Sequence, residues 1–118
     1  MREILFRGKD VKERWYIGLL AHIGNAWYIS NSAGIPTACE VIPSTIGEYT
    51  GLKDKNGERI FEGDIVLLKG DEEPYQVEFN ECCFQVYSHS VCYVMDNFYD
   101  HDIEVIGNIH DNPELLEV

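Results

Sequence analysis

The stretch Lys53-Asp54-Lys55-Asn56-Gly57-Glu58-Arg59-Ile60-Phe61-Glu62-Gly63-Asp64-Ile65-Val66-Leu67-Leu68 decides the fold. Asn56-Gly57 is a hairpin signal, because both central positions of a type I′ turn require positive φ. The polar residues Lys53-Asp54-Lys55 ahead of it imply a connection longer than two residues. Glu62-Gly63-Asp64 reads as a second tight turn. It feeds the apolar run Ile65-Val66-Leu67-Leu68, the pattern of a buried strand. Two turns and a core strand this close together leave no room for a helix.

The same grammar continues outward. Toward the C-terminus, Lys69-Gly70-Asp71-Glu72-Glu73-Pro74 is a polar hairpin tip. Tyr75, Val77 and Phe79 then alternate with Gln76, Glu78 and Asn80, and Phe84 and Val86 follow. Ile103, Val105 and Ile109 bracket Gly107 on one face. Toward the N-terminus lie Ala38 to Ile42, the loop Asn31-Ser32-Ala33-Gly34-Ile35-Pro36, and the run Ala26-Trp27-Tyr28-Ile29-Ser30. Trp15, Ile17 and Leu19 alternate with Tyr16, Gly18 and Leu20, and Ile4 shares a face with Phe6. Period two marks half-buried strands. No stretch sustains a 3.6-residue period over three turns.

One helix is expected, at the end. Asn112 can cap with its side-chain oxygen, Pro113 suits the first helical position, and Glu114 suits the positive end of the dipole. It is short, so it persists only where Leu115 or Leu116 packs on a sheet. The expected fold is mainly β: a small SH3-like barrel over 45–118, closed by a strand near Ile103–Ile109. An N-terminal hairpin or meander over 1–44 packs on it.

The chain has 118 residues, 45% of them hydrophobic and 25% charged. That composition belongs to globular proteins, and the length supports a core without disulfide or metal staples. No apolar run reaches the length of a membrane span. The start Met1-Arg2-Glu3-Ile4 has an early acid and no signal-peptide core, so a cytoplasmic protein is expected. With 9 basic and 21 acidic side chains the net charge is −12. A field of that sign opposes a phosphate backbone. Five of the cations, Arg2, Arg7, Lys9, Lys12 and Arg14, sit in the N-terminal segment, where a basic patch would have to form.

Each candidate for chemistry competes with a bland reading. Cys39, Cys82, Cys83 and Cys92 read as reduced, part-buried thiols, since Cys82 and Cys83 point to opposite faces of a strand. Cys82, Cys83, His89 and Cys92 lack the knuckle spacing of a zinc site. Asp96 to Asp102 offers oxygen atoms but not the order of a calcium loop. Asp100, His101 and Asp102 would form a cryptic acid/base site if a concave pocket lay there. Gly-x-Ser-x-Gly and phosphate-cradling glycine loops are absent. Gly47-Glu48-Tyr49-Thr50-Gly51 introduces a turn. Tyr93, Phe98 and Tyr99 lie near a loop and form the candidate interaction surface. No catalytic, cofactor or metal residue is assigned.

Three stretches together resemble the YopX family of small phage and prophage proteins. They are Arg2-Glu3-Ile4-Leu5-Phe6-Arg7-Gly8-Lys9 with Trp15-Tyr16-Ile17-Gly18; Val41 through Val66; and Ile103 through Leu116. Segments 20–40 and 69–102 do not carry the likeness. The resemblance implies a β-rich fold with an SH3-like barrel, a phage or prophage origin and a cytoplasmic site of action. It implies no catalytic residue. The leading expectation is a non-enzymatic module that binds a protein partner and self-associates. The alternatives are a nucleic-acid-associated protein, an acidic DNA mimic, or an enzyme at Asp100, His101 and Asp102.

Overall fold

The computed structural model describes residues 4–31, 38–80, 83–88, 91–95 and 98–117. The chain is mainly β, and it divides into two compact units, Met1–Tyr49 and Thr50–Val118. The sequence places the junction earlier, between 44 and 45.

In the first unit β1 (Phe6–Lys9), β2 (Trp15–Ile23), β3 (Ala26–Asn31) and β4 (Ala38–Val41) form an antiparallel ladder in the order β4-β3-β2-β1. The opening residues of β5 (Gly47–Lys53) pair with β1, Phe6 opposite Glu48. Leu5, Ile29, Val41 and Tyr49 are its buried apolar residues. Gly18 is required by close approach: a Cβ there would overlap the carbonyl oxygen of Ser30.

In the second unit the later residues of β5 lead to β6 (Arg59–Phe61). Then come β7 (Asp64–Leu68), β8 (Tyr75–Asn80), β9 (Cys83–Ser88), β10 (Val91–Val94) and β11 (Ile103–Asn108). The five-stranded order is β10-β9-β8-β7-β11, antiparallel throughout. Ile60, Val66, Leu68, Tyr75, Val77, Val86, Met95 and Ile103 form the core, with Leu52, Phe84, Phe98 and Val105 packed on it. The alternation of Tyr75 and Val77 with Gln76 and Glu78 therefore points inward as expected.

Two hairpin turns share one construction. Between β1 and β2, Asp10 Oδ1 accepts from the backbone N–H of Lys12 and Arg14, both at 2.9 Å. Between β5 and β6, Asp54 Oδ1 accepts from Asn56 and Glu58 at the same offsets and distance. In each, the residue three after the aspartate has positive φ: Glu13 at 66° and Gly57 at 80°. Asn56 does not share that conformation, so the type I′ turn expected at Asn56-Gly57 is a three-residue loop with a left-handed last residue. The reason is that Asp54 closes the turn with its carboxylate and needs only one left-handed position.

Three further expectations change. The five-stranded sheet does not close: β10 and β11 are its two ends among the described residues. The outer edge of β11 is occupied instead, because Ile103 O accepts from Lys55 N at 2.9 Å and Val105 N donates to Asp54 Oδ2 at 2.9 Å. The terminal helix is a single 3₁₀ turn, Pro113–Leu116, with Pro113 at its start. Asn112 does not cap it, because its side-chain oxygen accepts from Asn108 N at 3.3 Å.

Gly51 (φ 90°) lies inside β5, so the turn read from sequence over 47–51 is a strand, and Gly63 (φ 94°) is the turn between β6 and β7. Gly63 N donates to Val77 O and Gly63 O accepts from Ile109 N, both at 2.9 Å. Buried Asp64 accepts from Phe61 N at 2.8 Å. None of the three lines either cavity described below.

Candidate interaction surfaces

A strand at the end of a ladder leaves its outward N–H and C=O groups without a strand partner. β10 is such a strand, with Val91, Cys92, Tyr93 and Val94 all exposed. It pairs only inward, with β9, Val91 opposite Ser88 and Val94 opposite Gln85. It carries no charged residue, no proline and no glycine, the usual devices that blunt an edge. The opposite end of the sheet, β11, is covered by Asp54 and Lys55. Two edges of one sheet are thus treated differently.

The sequence candidates fall around this edge. Tyr93 and Phe98 come together, with ring centroids 5.9 Å apart and planes at 82°. Tyr93 also lies 5.9 Å from Tyr75. Phe98 packs against the core, whereas Tyr93 keeps 42% of its surface exposed. Tyr99 is 72% exposed and stacks on His101 at 5.5 Å. Beneath Tyr93, the Tyr75 hydroxyl donates to Asp71 Oδ2 at 2.7 Å. That bond, then burial, push the Tyr75 phenol up to about 12.

A second apolar surface belongs to the first unit. Ile17, Leu19 and Ile23 share one face of β2 and are 43%, 57% and 67% exposed. Sequence reading missed this row as a surface. Its signal is that Leu19 and Leu20 are both apolar, so alternation alone does not say which face is buried.

Asp100, His101 and Asp102 make one 3₁₀ turn. His101 Nδ1 lies 3.8 Å from Asp100 Oδ1, and Nε2 3.5 Å from Asp102 Oδ1. A cavity of about 350 Å³ adjoins it, lined by His101 and Asp102 with Lys55, Lys69, Asp71 and Glu104. A histidine between carboxylates can relay a proton. Here both carboxylates are its chain neighbours and one ring face is stacked on Tyr99, so the arrangement follows from the local turn. Lys55 pairs with Glu104 at 3.3 Å.

Of the zinc candidates, Cys82 and His89 lie outside the described residues. Cys92 Sγ donates to Gln85 Oε1 at 2.9 Å, and Gln85 Nε2 donates to Cys83 Sγ at 3.6 Å. Cys39, Cys83 and Cys92 are free thiols. Among the described residues no three His, Cys, Asp or Glu side chains are grouped to hold a metal. Asp96 and Asn97 of the acidic stretch also lie outside the description.

Of the N-terminal cations, Arg7, Lys9 and Arg14 are drawn into local contacts, and Arg2 lies outside the described residues. Arg14 Nε donates to Asp10 Oδ2 at 2.9 Å, and Lys9 lies 3.8 Å from Glu13. Arg7 and Lys9 sit over the Trp15 ring at 4.9 and 5.7 Å. The backbone N–H of Arg14 is the largest influence on Asp10. With the Arg14 guanidinium, the Tyr16 hydroxyl and Lys12 N, it outweighs burial and holds the carboxyl down to about 2. No helix among the described residues is long and apolar enough to cross a membrane.

Comparison with known proteins agrees with this architecture. A family model described as YopX protein matches residues 6–117. The crystal structure of protein EF1440 from Enterococcus faecalis superposes with a TM-score of 0.66 at 26% sequence identity. The likeness covers 99% of this chain and 100% of that one. No curated protein matches the sequence.

Proposed function

This chain belongs to the YopX family, and from that premise we propose a phage- or prophage-encoded, non-enzymatic protein-interaction module that adds a partner strand to β10. The observation that carries the reading is the uncharged outer edge of β10, with Val91 39%, Tyr93 42% and Val94 37% exposed. Strand addition uses the edge's backbone groups for affinity and alternate side chains for selection. The partner is another protein or a second copy of the chain. The succession β7-β8-β9-β10, with β11 returning beside β7, supports reading the sheet as an SH3-like barrel left open at its seam. The family resemblance and the thiols Cys39, Cys83 and Cys92 support a cytoplasmic site of action. The pairing of Arg14 with Asp10 and of Lys9 with Glu13 weighs against a nucleic-acid strip.

The test is site-specific photocross-linking in expressing cells. A photoreactive phenylalanine at Tyr93 is compared with one at Val11, which is 84% exposed and distant in sequence. A discrete adduct at 93 that vanishes on Val91→Lys supports strand addition. Adducts of equal diversity at both positions defeat it.

A further inference from the structure

Gly107, Ile65, Gln76 and Tyr87 are successive register partners across β11, β7, β8 and β9. Directly opposed residues share a face, so these four form one row across the sheet. A Cβ on Gly107 would come within 2.6 Å of Asn112 Oδ1 and 3.0 Å of Leu115 Cδ1. The absent side chain is what lets the Pro113–Leu116 turn lie down on the row. Beside that turn the row stays open as a groove of about 280 Å³. Pro74, Leu115 and Leu116 give it apolar walls, and Gln76 and Tyr87 lie in it. Among the described residues Glu73 and Glu117 are its charged lining, and no lysine or arginine lines it. Neither the Gln76 amide nor the Tyr87 hydroxyl makes a side-chain hydrogen bond among the described residues. Burial, then the Glu78 carboxylate, push the Tyr87 phenol up.

Apolar walls, polar groups within the groove and acidic side chains at its rim select a particular occupant. It has an apolar stem and a cationic head, the build of lysine and arginine side chains. We propose that this groove holds an arginine or lysine side chain of a basic partner segment, its stem against Leu115 and Leu116 and its head between Glu73 and Glu117. The face of Tyr87 adds a cation–π contact. The inference rests on the reading of the chain as a protein-interaction module and gives the partner its chemistry. A chain of net charge −12 also favours basic partners during encounter.

The test is a backbone-amide NMR titration of the full chain with a capped Gly-Leu-Arg-Leu-Gly peptide. Its glutamate analogue and free agmatine serve as the other arms. Shifts at Gln76, Tyr87, Leu115 and Leu116 with the arginine peptide, absent with the glutamate peptide, are expected. Glu117→Gln weakens that binding about twofold, the scale of one exposed charge pair, with the melting temperature unchanged. Shifts at β10 in place of the groove overturn the inference and leave the module reading standing. Agmatine binding in the groove with no peptide binding overturns the peptide occupant and removes this support for the module. Equal binding of both peptides, or none by any probe, overturns the site.

Discussion

Two aspartates organise much of this chain. Asp10 and Asp54 are 7% and 2% exposed, and each spends its carboxylate on backbone N–H groups of its own turn. Asp54 also reaches Val105, across a sequence separation of 51. The left-handed residue is glycine in one turn and Glu13 in the other. A side chain in that conformation costs on the order of 1 kcal/mol. Glu13→Gly is therefore expected to stabilise by about 1 kcal/mol in urea unfolding, since Glu13 is itself exposed and its 3.8 Å contact to Lys9 is long. A loss of stability would show that the ion pair outweighs the backbone. Acid should find Asp10. A carboxyl held at about 2 against an ordinary 3.8 contributes fully above the ordinary value and is lost as pH falls through 2. Thermal melts between those values should decline more steeply for the native chain than for Asp10→Asn, and equal slopes would refute it. Asn56-Gly57 advertised the turn, but nothing in one dimension showed the Asp54 bond to Val105, because long-range partners leave no spacing signal.

At the scale of elements, the strands were legible because alternation survives wherever one face is buried. Tyr75, Val77 and Val86 fall on the core as their period requires. The terminal turn was half legible. Pro113 starts it, but the Asn112 side chain accepts from Asn108 N instead of capping it. Gly107 and Gly24 separate two roles of glycine. Gly24 has φ 63° and nothing within 4 Å of an added Cβ, so Gly24→Ala meets only the conformational cost, about 1 kcal/mol. Gly107→Ala meets Asn112 and Leu115 directly and is expected to cost about 1–3 kcal/mol, as overpacking does. It should also raise amide exchange at Glu114, Leu115 and Leu116. If the two alanine variants unfold alike and the turn stays protected, Gly107 is not its seat. The surfaces were the least legible part. Tyr93 was found because it neighbours a loop. The Ile17–Leu19–Ile23 row was not, because a strand apolar on both sides hides which one faces water.

Across the whole molecule, stability is expected to be uneven. Val66, Val77 and Val86 are fully buried, whereas every residue of β10 is exposed. Amide exchange should therefore be slowest at those three valines and fastest, among the strands of the second unit, along β10. Slow exchange throughout β10 in dilute monomer would mean that its edge is already covered. The closure expected from sequence does not occur: the Asp54 turn occupies the outer side of β11. Protein EF1440 keeps the same architecture at 26% identity, so the backbone plan tolerates extensive replacement. β5 has a consequence of its own. Its opening residues serve the ladder of the first unit, and its later ones the second, with Thr50 Oγ1 donating to Ile60 O at 2.8 Å. Genetic exchange between relatives cannot trade one half for another at a loop, because the seam falls inside a continuous strand. Hybrids should survive only when both parents agree on the residues that flank the splice.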